Sequence, residues 1–211
     1  MDDVRRHYDA LIDAGNDPFW DPPELQAYMN GWDGDCFLNA LHLNEDLDVL
    51  EIGIGTGRLA HRVAPFCLQL TGLDVSSKSL ARAAENLKDH SNIVLAEGDL
   101  LTAKPGRSFD LIYSSLTFFH IEAKQEAIAR CAELLRTGGR LVISIEKEQR
   151  TGVEFEDRKL VLYPDQPEAM AAMMRHAGLV IESFQETSFA WIITAKKKAI
   201  VPESLSPSDA V

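Results

Sequence analysis

Asp48-Val49-Leu50-Glu51-Ile52-Gly53-Ile54-Gly55-Thr56-Gly57-Arg58-Leu59-Ala60 decides the fold. An apolar run closes on an acid, three alternating glycines follow, and a helix-like pattern begins. This is the pattern of a buried parallel strand, a tight turn and a helix start. Glycine serves where φ must be positive or where a ligand lies against bare backbone. The unpaired N–H groups that open a helix face such a ligand. The segment therefore predicts a small-molecule site before it predicts a ligand.

Outward from it, strand and helix patterns alternate. Strands are expected near 47–52, 69–74, 92–97, 109–114 and 139–146, and helices near 57–65, 77–88 and 121–135. Alternation of this kind implies right-handed crossovers, a parallel sheet and an α/β fold with helices on both faces. Gly138-Gly139 makes the turn into the fifth strand, and Ser76 or Ser77 caps a helix. Residues 147–159 are a charged loop or small hairpin at the mouth of the site, and a helix over 166–177 stops at Gly178. Two last strands, 179–184 and 189–195, are joined by a short link, which implies antiparallel pairing.

Three acids refine the reading. Glu51 stands two positions before the first glycine. Asp74 ends the next strand, where a carboxylate suits ribose hydroxyls. Asp99 follows the third strand in Gly98-Asp99-Leu100. The glycine spacing is G-x-G-x-G, not the G-x-G-x-x-G of dinucleotide-binding folds, which counts against a nicotinamide oxidoreductase. E-x-G-x-G-x-G, a ribose acid and a later Gly-Asp together resemble class I S-adenosylmethionine (SAM)-dependent methyltransferases, over roughly residues 45–198. The resemblance implies a seven-stranded, mostly parallel sheet with the last strand antiparallel.

It also implies roles. Gly53, Gly55 and Gly57 admit the methionine part of SAM, and Glu51 holds its α-amino group directly or through water. Asp74, with Val75 beside it, takes the ribose; Asp99 takes the adenine amino group with Leu100 beside the ring. Ser114, at the end of the fourth strand, touches the cofactor. His120 is the imidazole nearest the expected chemistry. It reads either as a general base or as a residue that caps a helix or lines the pocket. Tyr8, Tyr28 and Trp32 either cover cofactor and substrate or only pack.

Residues 1–46 read as a helical N-terminal cap with helices over 2–14, 22–29 and 35–43, residues 47–198 as the SAM-binding core, and 199–211 as a disordered tail. The net charge of −12 is uneven. Residues 1–50 hold 12 acids and two bases, giving −10, and the rest hold 21 acids and 19 bases, giving −2. An acidic cap repels nucleic acid and favours a neutral or cationic acceptor over a polyanion. Lys196-Lys197-Lys198 reads as the end of an edge strand, where lysines discourage edge pairing. No apolar run reaches a membrane span, and the N-terminus lacks a signal-peptide core, so a cytoplasmic protein is expected. Cys36, Cys67 and Cys131 read as reduced thiols, and no metal-ligand pairing stands out.

The expected activity is methyl transfer from SAM to a small organic O-, N- or C-acceptor, with S-adenosylhomocysteine (SAH) as the other product. No Asn-Pro-Pro-aromatic segment follows the fourth strand to suggest amide or base-amine methylation. A SAM-binding regulator or partner subunit without chemistry is the alternative, and a protein methyltransferase a lesser one. The sequence leaves the acceptor, the methylated atom and the oligomeric state open.

Overall fold

A computed structural model describes residues 2–155 and 158–198; the expected tail, 199–211, lies outside the described residues. The strands are β1 (Asp48–Ile52), β2 (Gln69–Asp74), β3 (Ile93–Glu97), β4 (Phe109–Ser115), β5 (Leu135–Glu146), β6 (Gly152–Phe155), β7 (Arg158–Val161), β8 (Leu179–Glu186) and β9 (Ala190–Lys197). Seven of them form one sheet in the order β3-β2-β1-β4-β5-β9-β8, while β6 and β7 pair as a separate hairpin. β1 is parallel to β2 and β4, with Leu50 opposite Thr71 and Ile112. β9 runs antiparallel to both of its neighbours, β5 and β8, so it is the reversed strand of the sheet.

Helices cover both faces. They are α1 (Asp2–Asp13), α2 (Pro23–Asp33), α3 (Asp35–Leu41), α4 (Arg58–Val63), α5 (Ser77–Asn86), α6 (Lys124–Leu134) and α7 (Pro167–His176). The period-2 geometry of strands divides the core in two. Leu50, Ile112 and Ile143 face α6 and α7, packing with Ile128 and Met170. Val49, Leu111, Tyr113 and Val142 face α3, α4 and α5, packing with Phe37, Leu59 and Leu80. β1 is buried at all five positions, as a strand covered on both faces must be. Edge strand β3 has no fully buried residue.

Local signals mark one helix start and one helix end. Ser76 Oγ accepts from the Ser79 N–H at 3.0 Å and opens α5. Gly178 follows α7 with φ +81°. The crossover after β4 departs from the expected single helix. A 3-10 turn, Phe118–His120, comes first, and α6 starts at Lys124. That turn holds His120 at the rim of the sheet instead of in a helix. The charged segment after β5 resolves into the β6–β7 hairpin, with Leu160 and Leu162 packed against Val4 and Tyr8 of α1.

The lysine run requires a correction. β9 lies between β5 and β8, so its lysines do not guard an edge. Lys196 pairs in register with Arg140 and Val180. Lys197 Nζ donates to the carbonyls of Ala132 and Leu135, at 2.6 and 2.8 Å, where a cation satisfies the open carbonyls ending α6. The edge on this side is β8.

α3 is not a detachable part of the leader. Phe37 and Leu41 are wholly buried beneath the sheet, and the Phe37 ring meets Tyr113 edge-on at 6.1 Å. Phe37→Ala is expected to cost about 3–5 kcal/mol, the range for removing a buried aromatic. Trp20, 71% exposed in the same leader, should change stability by no more than about 0.5 kcal/mol when replaced by Ala. Urea unfolding of both variants checks the contrast.

Candidate active site

A cavity of about 250 Å³ opens where the chain leaves the ends of β1, β2 and β4. β1 and β4 are neighbours whose onward connections run to opposite sides, the crevice where open α/β sheets bind ligands. Gly53, Gly55 and Gly57 have φ of +76°, +56° and +92°. Two line the cavity, for different reasons. A Cβ on Gly53 would collide with the side chain of Thr117, whereas one on Gly55 would meet nothing within 4 Å. Gly55 is thus open backbone turned to the cavity. Gly57 does not line it; a Cβ there would run into Leu87.

Asp74 closes the turn. Its Oδ2 accepts from the Gly55 N–H at 2.8 Å and its Oδ1 from the Ser76 N–H at 2.9 Å. Burial raises its pKa, and these backbone donors oppose the rise. Glu51 is buried at the end of β1, and Tyr113 Oη donates to its Oε2 at 2.7 Å. Burial pushes its carboxyl up to about 8, against the Tyr113 hydrogen bond and the Arg58 charge.

A third acid comes from the leader. Asp33, the last residue of α2, is fully buried, and its Oδ2 takes Arg58 Nη2 at 2.5 Å and Ser115 Oγ at 2.8 Å. Met29 and Asp33, four apart, both line the cavity from one face of α2. Tyr28 and Trp32 fall on the adjoining face and stack with Phe189, at 5.1 and 4.5 Å between centroids.

At the other end of the cavity, Tyr8 Oη lies 2.8 Å from His120 Nε2. His120 is buried, with no partner on Nδ1. Burial, then the charges of His7 and Lys124, pushes its pKa down to about 3. Burial raises the Tyr8 hydroxyl well above its usual range, helped by the Asp74 charge and opposed by that of Arg150. Leu116, between them and the glycine turn, has φ +53°, a conformation non-glycine residues adopt mainly under constraint.

Of the residues named from sequence, Glu51, Gly53, Gly55, Asp74, Val75, Leu100, Tyr8 and His120 line this one cavity. The structure does not bring Gly57, Asp99, Ser114, Tyr28 or Trp32 to its wall. Asp99 accepts the Leu101 N–H at 3.0 Å and shapes the turn that presents Gly98 and Leu100. Ser114 is wholly buried and donates to the Ile52 carbonyl at 3.0 Å, joining β4 to β1. Its neighbours Ser115, Leu116 and Thr117 line the cavity instead. Asp33, Arg58 and Met29 were missed. The i, i+4 spacing of Met29 and Asp33 is the signal the sequence carries for two of them.

Residues 50–143 match the family described as a methyltransferase domain. An uncharacterized methyltransferase of Geobacillus thermodenitrificans is 28% identical over 167 residues, covering 71% of this chain and 77% of that protein. Among solved structures, the N-methyltransferase NodS of Bradyrhizobium japonicum, in complex with SAH, superposes with a TM-score of 0.71 at 20% identity, over 93% of this chain and 100% of that one. The [4+2]-cyclase SpnF superposes with a TM-score of 0.73 at 18% identity, over 93% and 95%. These structures share the fold. The matched domain, the relative's name and the shared fold agree with the class I SAM-dependent methyltransferases that the glycine turn resembles.

Two predictions follow from the geometry. Gly53→Ala meets both a left-handed φ and the Thr117 side chain, so SAH affinity should fall at least about tenfold, a loss of about 1.4 kcal/mol, in calorimetry. For Glu51, a folded pKa of about 8 exceeds the ordinary carboxyl value of 4.5. The proton it holds stabilises the ligand-free protein fully below pH 4.5, and that contribution is lost as pH rises through 8. Glu51→Gln lacks this titration. Its stability relative to wild type, from urea unfolding, should therefore rise between pH 5 and about 8.

Proposed function

We propose that this chain transfers the methyl group of SAM to a small-molecule acceptor held between the glycine turn and the Tyr8–His120 pair. The observation that carries this reading is that one cavity is lined by both. The residues suit the cofactor's parts. Bare backbone at Gly53 and Gly55, with Glu51 beneath, fits an amino-acid chain carrying an ammonium. Asp74 retains acceptor capacity for two hydroxyls, since each carboxylate oxygen has more than one lone-pair site. Gly98, Leu100 and Val75 offer a flat, apolar wall for a base. Asp99 serves that wall by fixing its turn, and Ser114 by fixing β4 against β1.

When bound, SAM supplies a methyl group made electrophilic by its sulfonium. The protein's task is then to exclude water and hold the acceptor atom aligned at roughly 3–3.5 Å. His120, with a pKa of about 3, is neutral at physiological pH, and Tyr8 stays protonated. The pair therefore hydrogen-bonds and orients a neutral nucleophile; it does not store a proton before transfer. This favours the pocket-lining reading of His120 over the general-base one, because an imidazole with a pKa of about 3 accepts a proton poorly.

The cavity's volume, about 250 Å³, lies below the roughly 300–1,000 Å³ of ordinary ligand pockets. Holding cofactor and acceptor together thus calls for more room at the Tyr8 end, where α1 covers the cavity. The acceptor's charge must be argued from the cavity wall, because most acids of the leader face surface partners. Asp13 pairs with Lys78, Asp17 with Arg82 and Asp35 with Arg62. Of the leader's acids, Asp33 alone lines the cavity. Arg58 is the one Lys or Arg among the described lining residues, and Asp33 holds it. A phosphorylated or polycarboxylate acceptor therefore finds no cationic cradle, and a neutral or amine acceptor is favoured.

Incubating cell extract with methyl-labelled SAM, followed by mass spectrometry, should reveal a labelled small molecule. If SAH binds and no metabolite or protein acquires label, the chain is a SAM-binding regulator. With the acceptor in hand, Tyr8→Phe and His120→Asn should retain SAH affinity while kcat falls at least about tenfold. Neither the wild-type rate nor its acceptor affinity should show an inflection from His120 between pH 6 and about 8.

A further inference from the structure

Asp33, Arg58 and Thr56 meet on the cavity wall with bonding capacity that the protein leaves unused. Asp33 is fully buried, and only its Oδ2 is engaged; Oδ1 has no partner. An orphaned buried carboxylate oxygen is costly unless something else satisfies it. Thr56, in the glycine turn, is also buried, and its hydroxyl has no partner. Arg58 follows the turn directly, and among the described residues its guanidinium bonds only Asp33. One cavity is thus lined by a carboxylate oxygen that lacks a donor, a hydroxyl without a partner and a guanidinium with donors to spare.

We propose that these three residues clamp the α-amino-acid end of the cofactor: Asp33 Oδ1 accepts from the ammonium, while Arg58 and Thr56 donate to the carboxylate. This rests on the SAM reading and extends it to a residue of the leader. A zwitterion matches the set better than any single charge, because Asp33 already balances Arg58. The alternative is that Asp33 greets the acceptor, and the electrostatics oppose it. The Asp33 charge acts on Glu51 and Tyr113, beneath the glycine turn. After burial, the charges that act on Tyr8 and His120 are those of Asp74, Arg150, His7 and Lys124 instead. The cluster therefore belongs to the methionine end.

The consequence is that the leader binds the cofactor directly. α2 is held down by Asp33 through Arg58 and Ser115, and a bound ammonium adds a third link at Oδ1. Binding and closure are then one event, and departure of SAH requires the clamp to open.

The test is truncation of the ligand set against truncation of the protein. Calorimetry compares SAH with 5′-methylthioadenosine, which keeps the nucleoside and lacks the amino acid. Wild type should bind SAH more tightly. In Asp33→Asn and Arg58→Lys, SAH affinity should fall at least about tenfold, while 5′-methylthioadenosine changes by less than about twofold. Thr56→Val, which keeps the shape and removes only the hydroxyl, should weaken SAH alone by about fivefold. It preserves the test if the charged-pair variants fold poorly. Parallel weakening of both ligands would show that the cluster only holds the leader in place and overturns the clamp. Unchanged SAH affinity in all three variants overturns it as well. Failure of the wild type to bind either ligand would instead remove the SAM reading itself.

Discussion

The bond from the Gly55 N–H to Asp74 Oδ2, 2.8 Å long, is the constraint on which the site depends. In the glycine turn the Gly53 and Ile54 N–H groups reach the Leu73 carbonyl and the Gly57 N–H reaches the Ile54 carbonyl, but the Gly55 N–H has no backbone acceptor. Asp74 supplies the missing acceptor from the end of the adjacent strand, and its other oxygen receives the Ser76 N–H that leads into α5. One carboxylate therefore fixes the mouths of two crossovers relative to each other. Ser76 in turn donates to Asp9 of α1 at 2.7 Å, so the leader is registered to the same point. A structural acid and a ribose-binding acid are not competing descriptions of Asp74. Asp74 lines the cavity, and each of its oxygens keeps acceptor capacity beyond the one backbone donor it takes.

Buried acids of this kind oppose stability in the ligand-free chain. Glu51, Asp33 and Asp74 all lie on one wall, with Arg58 the cation beside them. Burial raises the pKa of Glu51 and of Asp74, which means the folded chain resists holding them charged. An ammonium ligand reverses that balance, because it offers hydrogen bonds and opposite charge to groups that otherwise bear the cost of desolvation. Ligand affinity and apo-state strain are thus two views of one arrangement.

The fold was largely legible because its signals are local. Strand ends, Gly178 after α7 and Ser76 before α5 all sit where turn and cap chemistry put them. The sheet's antiparallel end followed from a short link alone. The position of Lys196 and Lys197 was not legible, because which of two paired strands lies outside is decided by β9 packing on β5, a contact of residues some fifty positions apart. At the site, the glycine turn and the acids beside it are legible, because they are coded in short windows. Asp33 is not, because its role comes from meeting Arg58 and Ser115, 25 and 82 residues away. Asp99 and Ser114 were read as ligand contacts, yet they lie one bond behind the wall: sequence marks the loop, while backbone direction decides which neighbour faces in.

The leader divides into parts with different obligations. α3 belongs to the core by its wholly buried Phe37 and Leu41. α2 presents Met29 and Asp33 inward and is joined to β9's end by Tyr28, Trp32 and Phe189. α1 rests on α5 and the β6–β7 hairpin through Val4, Tyr8 and the exposed Lys78–Asp13 pair. Exposed ion pairs contribute about 1 kcal/mol or less, whereas removing a buried aromatic such as Phe37 costs several times that. Any outward motion that admits ligands should therefore involve α1 and the hairpin first, pivoting away from His120, and leave α3 in place. The Tyr8–His120 hydrogen bond is then made and broken with each opening, which couples the orienting pair to closure without any further device.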